Sequence, residues 1–243
     1  MHYTDLFSSP NSVEFGKHLG WNDFCAVNEY RNHSDFRKFA EEAEKHDTLA
    51  GALITSEPTK NARTALDFAD LTIVDGRTED VCREASECYD VDLIVNPEAN
   101  EERDLIRQRS SGLDDIMAAF MAERGIGYLV NIGNILHATG VRRAQTVGRV
   151  AQNLRLAKRY GVNVVLSCGA RNSFDVRTPQ DIILFAANLG LSEGEARNAV
   201  TKNPQHYVDR AADRNNPDVL MSGLRVLSWG QAERKQKRKY GWY

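Results

Sequence analysis

A repeated pair of patterns is what most constrains the fold of this chain. Short runs rich in β-branched residues and ending on a polar side chain recur along it, as in Leu71–Asp75 (LTIVD), Asp92–Asn96 (DLIVN) and Val162–Ser167 (VNVVLS). Longer stretches with helical apolar spacing separate them. A strand that is apolar along its whole length has to be covered on both faces, the situation of a parallel sheet clad in helices. With these three, strands are expected at seven places: Tyr3–Phe7, Asp23–Asn28, Leu49–Thr55, Leu71–Asp75, Asp92–Asn96, Gly127–Ile132 and Val162–Ser167. Helices are expected at Ser34–His46, Asn61–Ala69, Glu79–Tyr89, Leu113–Arg124, Thr139–Tyr160, Pro179–Leu189 and from Glu193 onward. Thr178-Pro179-Gln180-Asp181 supplies a hydroxyl cap, a first-turn proline and an acid three residues after the cap, and Ser192-Glu193-Gly194-Glu195 has the form of a capping box. Gly161 and Gly190 stand where helices stop, and Asn203-Pro204 closes one helix and opens another.

Seven strands, each followed by helical material, predict a single α/β domain over residues 1–215. The first choice is a TIM-like (β/α) barrel of about seven parallel strands with surrounding helices, and a doubly wound open sheet is the alternative. No Gly-x-Gly-x-x-Gly follows the first strand, which removes the main support for a dinucleotide fold. Residues 216–243 lose the pattern and read as an irregular basic tail ending in RKQKRKYGWY. Pro97–Ser111 is long, charged and aperiodic, the profile of a lid or contact loop. No apolar run approaches the roughly 18–20 residues a membrane helix requires, so no membrane partner is expected. The four cysteines are scattered rather than paired, which suits a reducing cytoplasm.

In a βα barrel the loops after the strands build the working face. The polar residues there are Asp5, Asn28, Thr55, Asp75, Asn96, Asn131 and Ser167. A metal hydrolase needs converging ligands with an open coordination position. The first strand, His2-Tyr3-Thr4-Asp5, lacks a histidine pair and the other histidines are dispersed, so no metal ligand is assigned. Cys168 beside Arg171 is a candidate nucleophile, because a nearby cation lowers a thiol pKa. A buried structural cysteine is the preferred reading.

Charge is more informative. Between Arg124 and Phe174 there is no acid, but there are seven arginines and one lysine, in a chain whose net charge is −3. At ~100° per helical residue, Val147, Val150, Leu154 and Ala157 share one face of the long helix. Arg142, Arg149, Arg155 and Arg159 fall opposite it. Arg171, Asp175 and Arg177 follow on the loop after Ser167, where Asp175 and Arg177 are spaced to pair with each other. An arginine fork suits phosphate, so an RNA backbone fits this face. An acidic protein fits the same pattern, and an ordinary solvated helix face is the plain alternative.

Val165–Ile182 (VLSCGARNSFDVRTPQDI), followed by an apolar helix and Leu189-Gly190-Leu191, resembles the ribonuclease P protein component 3 family. Arg142-Arg143-Ala144, Asn153-Leu154 and Ala157–Val162 resemble its long helix, and Ser111–Ile116 resembles a further family segment in which Asp115 stands where a histidine is frequent. The resemblance implies a barrel related to the PHP phosphoesterases but without a dependable metal site. It implies a subunit of the ribonucleoprotein that removes the 5′ leader of precursor tRNA, with ribonuclease P RNA, protein component 2 and the other protein subunits as partners. Catalysis would belong to the RNA with Mg²⁺, so no catalytic residue and no cofactor is expected in this chain. Arg142, Arg149, Arg155, Arg159, Arg171, Asp175 and Arg177 are then candidate RNA or partner contacts. A stand-alone, PHP-like, metal-dependent phosphoesterase is the alternative.

Overall fold

A computed structural model of the chain describes residues 1–104, 109–221 and 223–231. The elements alternate as β1 (Thr4–Ser8), α1 (Val13–His18), β2 (Asp23–Glu29), α2 (His33–Lys45), β3 (Leu49–Ile54), α3 (Pro58–Ala65), β4 (Leu71–Asp75), α4 (Glu79–Ser86), β5 (Leu93–Val95), α5 (Asp115–Arg124), β6 (Gly127–Asn131), α6 (Ile132–His137), α7 (Gly140–Tyr160) and β7 (Val164–Ser167). Three helices follow, α8 (Pro179–Asn188), α9 (Glu193–Asn198) and α10 (Lys202–Asn215), and then two short strands, β8 (Val219–Met221) and β9 (Leu224–Arg225). All seven predicted strands form. Each pairs in parallel with its neighbour in chain order, from β1 through β7.

The sheet curls until β7 meets β1. Ser167 Oγ donates to the Asp5 carboxylate and to the Phe7 carbonyl (3.0 Å), and Cys168 N–H donates to Asp5 Oδ2 (3.3 Å). At the other end of the seam, the turn after α9 takes the place of an eighth strand. Leu166 N–H donates to Ala199 O (2.9 Å), Thr4 N–H to Val200 O (3.1 Å), and Asn203 Nδ2 to Val164 O (2.7 Å). The nearly closed barrel thus satisfies edge groups that an open sheet would leave for another chain.

Alternate strand residues divide the core in two. Leu71, Ile73, Leu93, Val95, Leu129 and Val165 fill the barrel interior, while Val74, Ile94, Tyr128, Val130 and Leu166 pack against the outer helices. Tyr207 and Ala211 of α10 join the interior set and plug the end where the strands begin. The same helix presents Arg214 to Asp92, with Nη1–Oδ2 2.7 Å and Nη2–Oδ1 2.5 Å, and Arg210 Nη1 lies 3.4 Å from the same carboxylate. Burial would raise the Asp92 carboxyl, but Arg214 and then Arg210 outweigh it and hold the carboxyl below its usual range.

The helix limits follow local chemistry. Asp114 caps α5 by accepting from Met117 N–H, Thr178 caps α8, and Ser192 with Glu195 closes the predicted capping box on α9. Gly125 and Gly161 end α5 and α7 in the left-handed region. Two six-residue helices, α1 and α6, were not predicted, because so short a stretch carries little periodicity. Residues 216–231 are not wholly irregular. β8 and β9 pair antiparallel, Val219 is buried, and Trp229 Nε1 donates to Asp218 Oδ1 at 2.7 Å. The predicted basic tail from residue 232 lies outside the described residues.

Candidate nucleic-acid interface

The helix α7 packs Val150, Leu154 and Ala157 into the core, as its pattern requires. Its arginines do not all face water. Arg149 is 5% exposed and clamps the segment that follows β5. Its Nε donates to Asp104 Oδ1 (2.8 Å), its Nη1 to Glu98 O and Asn100 O (3.0 Å each) and Asn100 Oδ1 (3.2 Å), and its Nη2 to Glu102 O (2.5 Å). Neighbouring residues of α7 hold the same segment. Asn153 Nδ2 donates to Ser111 O (2.8 Å) and Gln152 Nε2 to Ser111 Oγ (3.0 Å), while a Cβ at Gly148 would collide with the Arg109 guanidinium. The helical wheel puts Arg149 on a face expected to meet solvent, and the structure buries it instead. A second layer, residues 98–104 and 109–111, covers that flank, and this displaces Arg149 from the list of candidate contacts.

The acid-free run is compensated in space. Arg124 lies over the rings of Tyr89 and Phe120, and Arg143 donates to Ala138 O and Leu136 O at the end of α6. Lys158 meets Glu195 at 2.6 Å, and Arg159 meets Asp115 at 3.4 Å. Asp115, the residue at the frequent histidine position, therefore faces an arginine of α7. Among the described residues, the guanidinium groups of Arg142, Arg155 and Arg171 are exposed and meet no acceptor. Arg142 and Arg155 stand about 20 Å apart along the helix axis at 1.5 Å per residue.

The loop after β7 is braced rather than loose. Gly169 has φ +59°, and the Asn131 amide fills the space a side chain would need, so glycine is required there. Asp175 Oδ2 accepts from Arg171 N–H (3.1 Å) and lies 3.2 Å from His137 Nε2. Arg177 Nη1 donates to Phe174 O (2.8 Å) and Val176 O (2.9 Å). Asp175 and Arg177 both shape the loop, but by these bonds and not by the mutual pair their spacing allowed. Cys168 is fully buried, and burial, with Asp5 beside it, pushes its thiol far up. It does not have the character of an activated nucleophile.

Beside this loop the barrel mouth holds a carboxamide network. Asn96 Nδ2 donates to Asp75 Oδ1 (3.4 Å), and Asn96 Oδ1 accepts from Asn131 Nδ2 (3.1 Å) and Asn134 Nδ2 (2.5 Å). Burial raises the Asp75 carboxyl, opposed by Arg77, whose Nε lies 3.3 Å away. The Asp5 carboxylate is engaged by Ser8, Ser167 and the Cys168 N–H. Among the described residues no group of three or more His, Cys, Asp or Glu is gathered to hold a metal ion.

Two arginines escaped the sequence reading. Arg77 lines the mouth cavity of about 260 Å³ together with Arg171, and it also lines a second, larger cleft shared with Arg109 and Arg142. Glu101 and Glu102 line that cleft as well. Arg77 and Arg109 follow different strands in separate stretches of sequence, so only the closed barrel brings them beside Arg142 and Arg171.

Residues 5–216 match the family model described as RNase P subunit p30. The chain belongs to the RNase P subunit p30 family. Ribonuclease P protein component 3 of Methanosarcina acetivorans is 29% identical over 224 residues, covering 90% of each chain. Its counterpart in Methanosarcina barkeri is 35% identical over 161 residues, 66% of this chain and 63% of that one. A chain in a cryo-EM structure of archaeal ribonuclease P with mature tRNA superposes with a TM-score of 0.76 at 22% identity, covering 96% of this chain and all of that one, a likeness of fold.

Proposed function

We propose that this ribonuclease P subunit supplies binding surface rather than chemistry. Arg142, Arg155 and Arg171 contact the phosphates of ribonuclease P RNA, while other faces dock protein component 2 and the remaining protein subunits. The assembled particle removes the 5′ leader of precursor tRNA, with the RNA and its Mg²⁺ performing the cleavage. The observation that supports the RNA contacts is the sorting of charge. Of the arginines in an acid-free run, most are spent on acids, carbonyls or rings elsewhere in the fold, and these three are held outward without an acceptor among the described residues.

Their chemistry suits the task. A guanidinium remains charged at any physiological pH and donates two parallel hydrogen bonds to one phosphate. Arg155 lies on a regular helix and Arg171 on a loop fixed by Asp175 and Arg177, so little side-chain order has to be created beyond the guanidinium arms themselves. The mouth residues support the absence of a catalytic role. Asp5 has its oxygens committed to four donors, the Phe7 and Cys168 N–H groups and the Ser8 and Ser167 hydroxyls, and Asp75 faces an arginine and an asparagine.

The test is the salt dependence of binding between the full-length chain and ribonuclease P RNA. Each phosphate contact contributes about 0.7–0.9 to the slope of log K against log salt. The variant Arg142→Ala/Arg155→Ala/Arg171→Ala should bind more weakly, with the slope reduced by about 2–3. Unchanged affinity and slope in a folded triple variant would remove these arginines from the RNA interface.

A further inference from the structure

Phe174 stands out among the described side chains. Its ring is 90% exposed, at the tip of the loop between β7 and α8. Isolated exposed apolar residues are ordinary on protein surfaces and call for no explanation by themselves. The support beneath this one is unusual. Asn172 Oδ1 accepts from Phe174 N–H (2.9 Å), Arg177 Nη1 donates to Phe174 O (2.8 Å), and Ser173 Oγ donates to Asn11 O (3.1 Å). Trp21 Nε1 donates to Arg177 O (2.8 Å), which ties the loop to the barrel wall. Both backbone groups of Phe174 and both neighbours are therefore fixed, and the ring is presented to solvent at little further cost in order.

The loop that carries the ring also carries two arginines. Arg171 is exposed three residues before it, and Arg177, half-buried, donates to its carbonyl. The one acid of the loop, Asp175, is turned to the Arg171 N–H and to His137. His137, the last residue of α6, reaches the same loop through Asp175. An aromatic side chain exposed on a braced loop that also carries an exposed arginine is an arrangement that holds single-stranded nucleic acid, with a base stacked on the ring and a flanking phosphate on the arginine.

We propose that Phe174 is a stacking platform for one unpaired base of an RNA strand, with Arg171 holding an adjacent phosphate. This rests on the reading that the chain binds RNA, and it adds the form of RNA recognised at this loop: a splayed-out nucleotide, not a continuous duplex. The exposed Arg171 guanidinium, which meets no acceptor among the described residues, favours a phosphate-bearing strand beside the ring, and an apolar protein contact is the competing outcome of the experiment.

The experiment measures binding of the full-length chain to ribonuclease P RNA and to a short single-stranded oligoribonucleotide, over a range of salt. Stacking on an aromatic ring falls to alanine with a loss of roughly 5- to 150-fold in affinity. Phe174→Ala should show such a loss on the oligonucleotide with its salt slope unchanged, since stacking releases no counterions. Arg171→Ala should lower the slope. Phe174→Tyr should retain affinity, while Phe174→Leu, which keeps apolar area but no π face, should lose it. Irradiation of a 5-bromouridine-substituted oligonucleotide should crosslink to residue 174. If the wild-type chain binds neither RNA, the RNA-binding reading and the platform fall together. If it binds both and Phe174→Ala matches wild type, only the platform falls. Equal binding by the leucine variant, or loss confined to association with a partner protein, would make Phe174 an apolar protein contact and overturn the proposal.

Discussion

Replacing Arg149 with alanine removes one guanidinium that serves acceptors on four residues, Glu98, Asn100, Glu102 and Asp104. Each hydrogen bond from a charged donor contributes about 1.5–3 kcal/mol, but bonds sharing one side chain do not add. The better guide is the loss of one partner from a buried ion pair, about 3–5 kcal/mol. That is a large share of the ~5–15 kcal/mol that holds a domain folded, whereas truncating an ordinary surface arginine changes stability by about 0.5 kcal/mol or less. Arg149→Lys should recover little, because an ammonium cannot span the acceptors that a planar fork reaches. Urea unfolding gives the magnitude, and hydrogen exchange of the amides from residue 98 to 104 shows where the protection is lost. If Arg149→Ala keeps wild-type stability and exchange while lowering the salt slope for RNA as Arg155→Ala does, the clamp is refuted and Arg149 returns to the RNA interface.

Three further outcomes follow from buried groups. Burial pushes the Glu98 carboxyl up from 4.5 to about 7. Between those values the fold holds a proton that the unfolded chain has released, so stability should fall as pH rises through this window, by roughly 3 kcal/mol in all. Glu98→Gln should flatten that fall; a wild-type urea midpoint equal at about pH 5 and about pH 8 would contradict it. Arg214→Ala leaves buried Asp92 with the Thr72 donors and with Arg210 as its remaining cation among the described residues, so it should cost about 3–5 kcal/mol, and adding Asp92→Asn should recover part of the loss. Failure of the second change to recover anything would mean that the cost comes from packing of α10. All four cysteines are buried, so the native chain should react slowly with an aromatic disulfide reagent and show four thiols only on unfolding. One fast-reacting thiol would reopen the case for a cysteine nucleophile.

The fold was legible because each strand carries its own signal. Leu71–Asp75 and Gly127–Asn131 are apolar on both faces because both faces are covered, and the sequence shows this without knowledge of the neighbours. The capping residues Thr178 and Ser192 act within three residues, so their role could also be read directly. The candidate site was legible only in part, since it depends on what lies beside each side chain. Arg149 and Arg155 look alike on a helical wheel, and the difference between them comes from residues some fifty positions upstream that fold over one flank. Arg159 has no acid near it in sequence, yet Asp115 comes to it from α5. Arg77 and Arg109 gave no signal, because only barrel closure sets them beside Arg142 and Arg171. One weak signal was at hand for the clamp. The charged, aperiodic stretch from Pro97 to Ser111 needed an anchor, and an arginine on the long helix was a fitting one.

On the proposed reading, this chain gives ribonuclease P a binding surface and leaves the chemistry to RNA. Reconstitution of precursor-tRNA cleavage in Mg²⁺ tests it most directly, using ribonuclease P RNA and the other protein subunits with and without this chain. The full-length chain alone should release no leader, and its omission should lower cleavage by the reconstituted particle. Adding wild type should restore the rate, and Arg142→Ala/Arg155→Ala/Arg171→Ala should restore it only in part. Leader release by the chain without RNA, or a rate that its omission leaves unchanged, would contradict the claim.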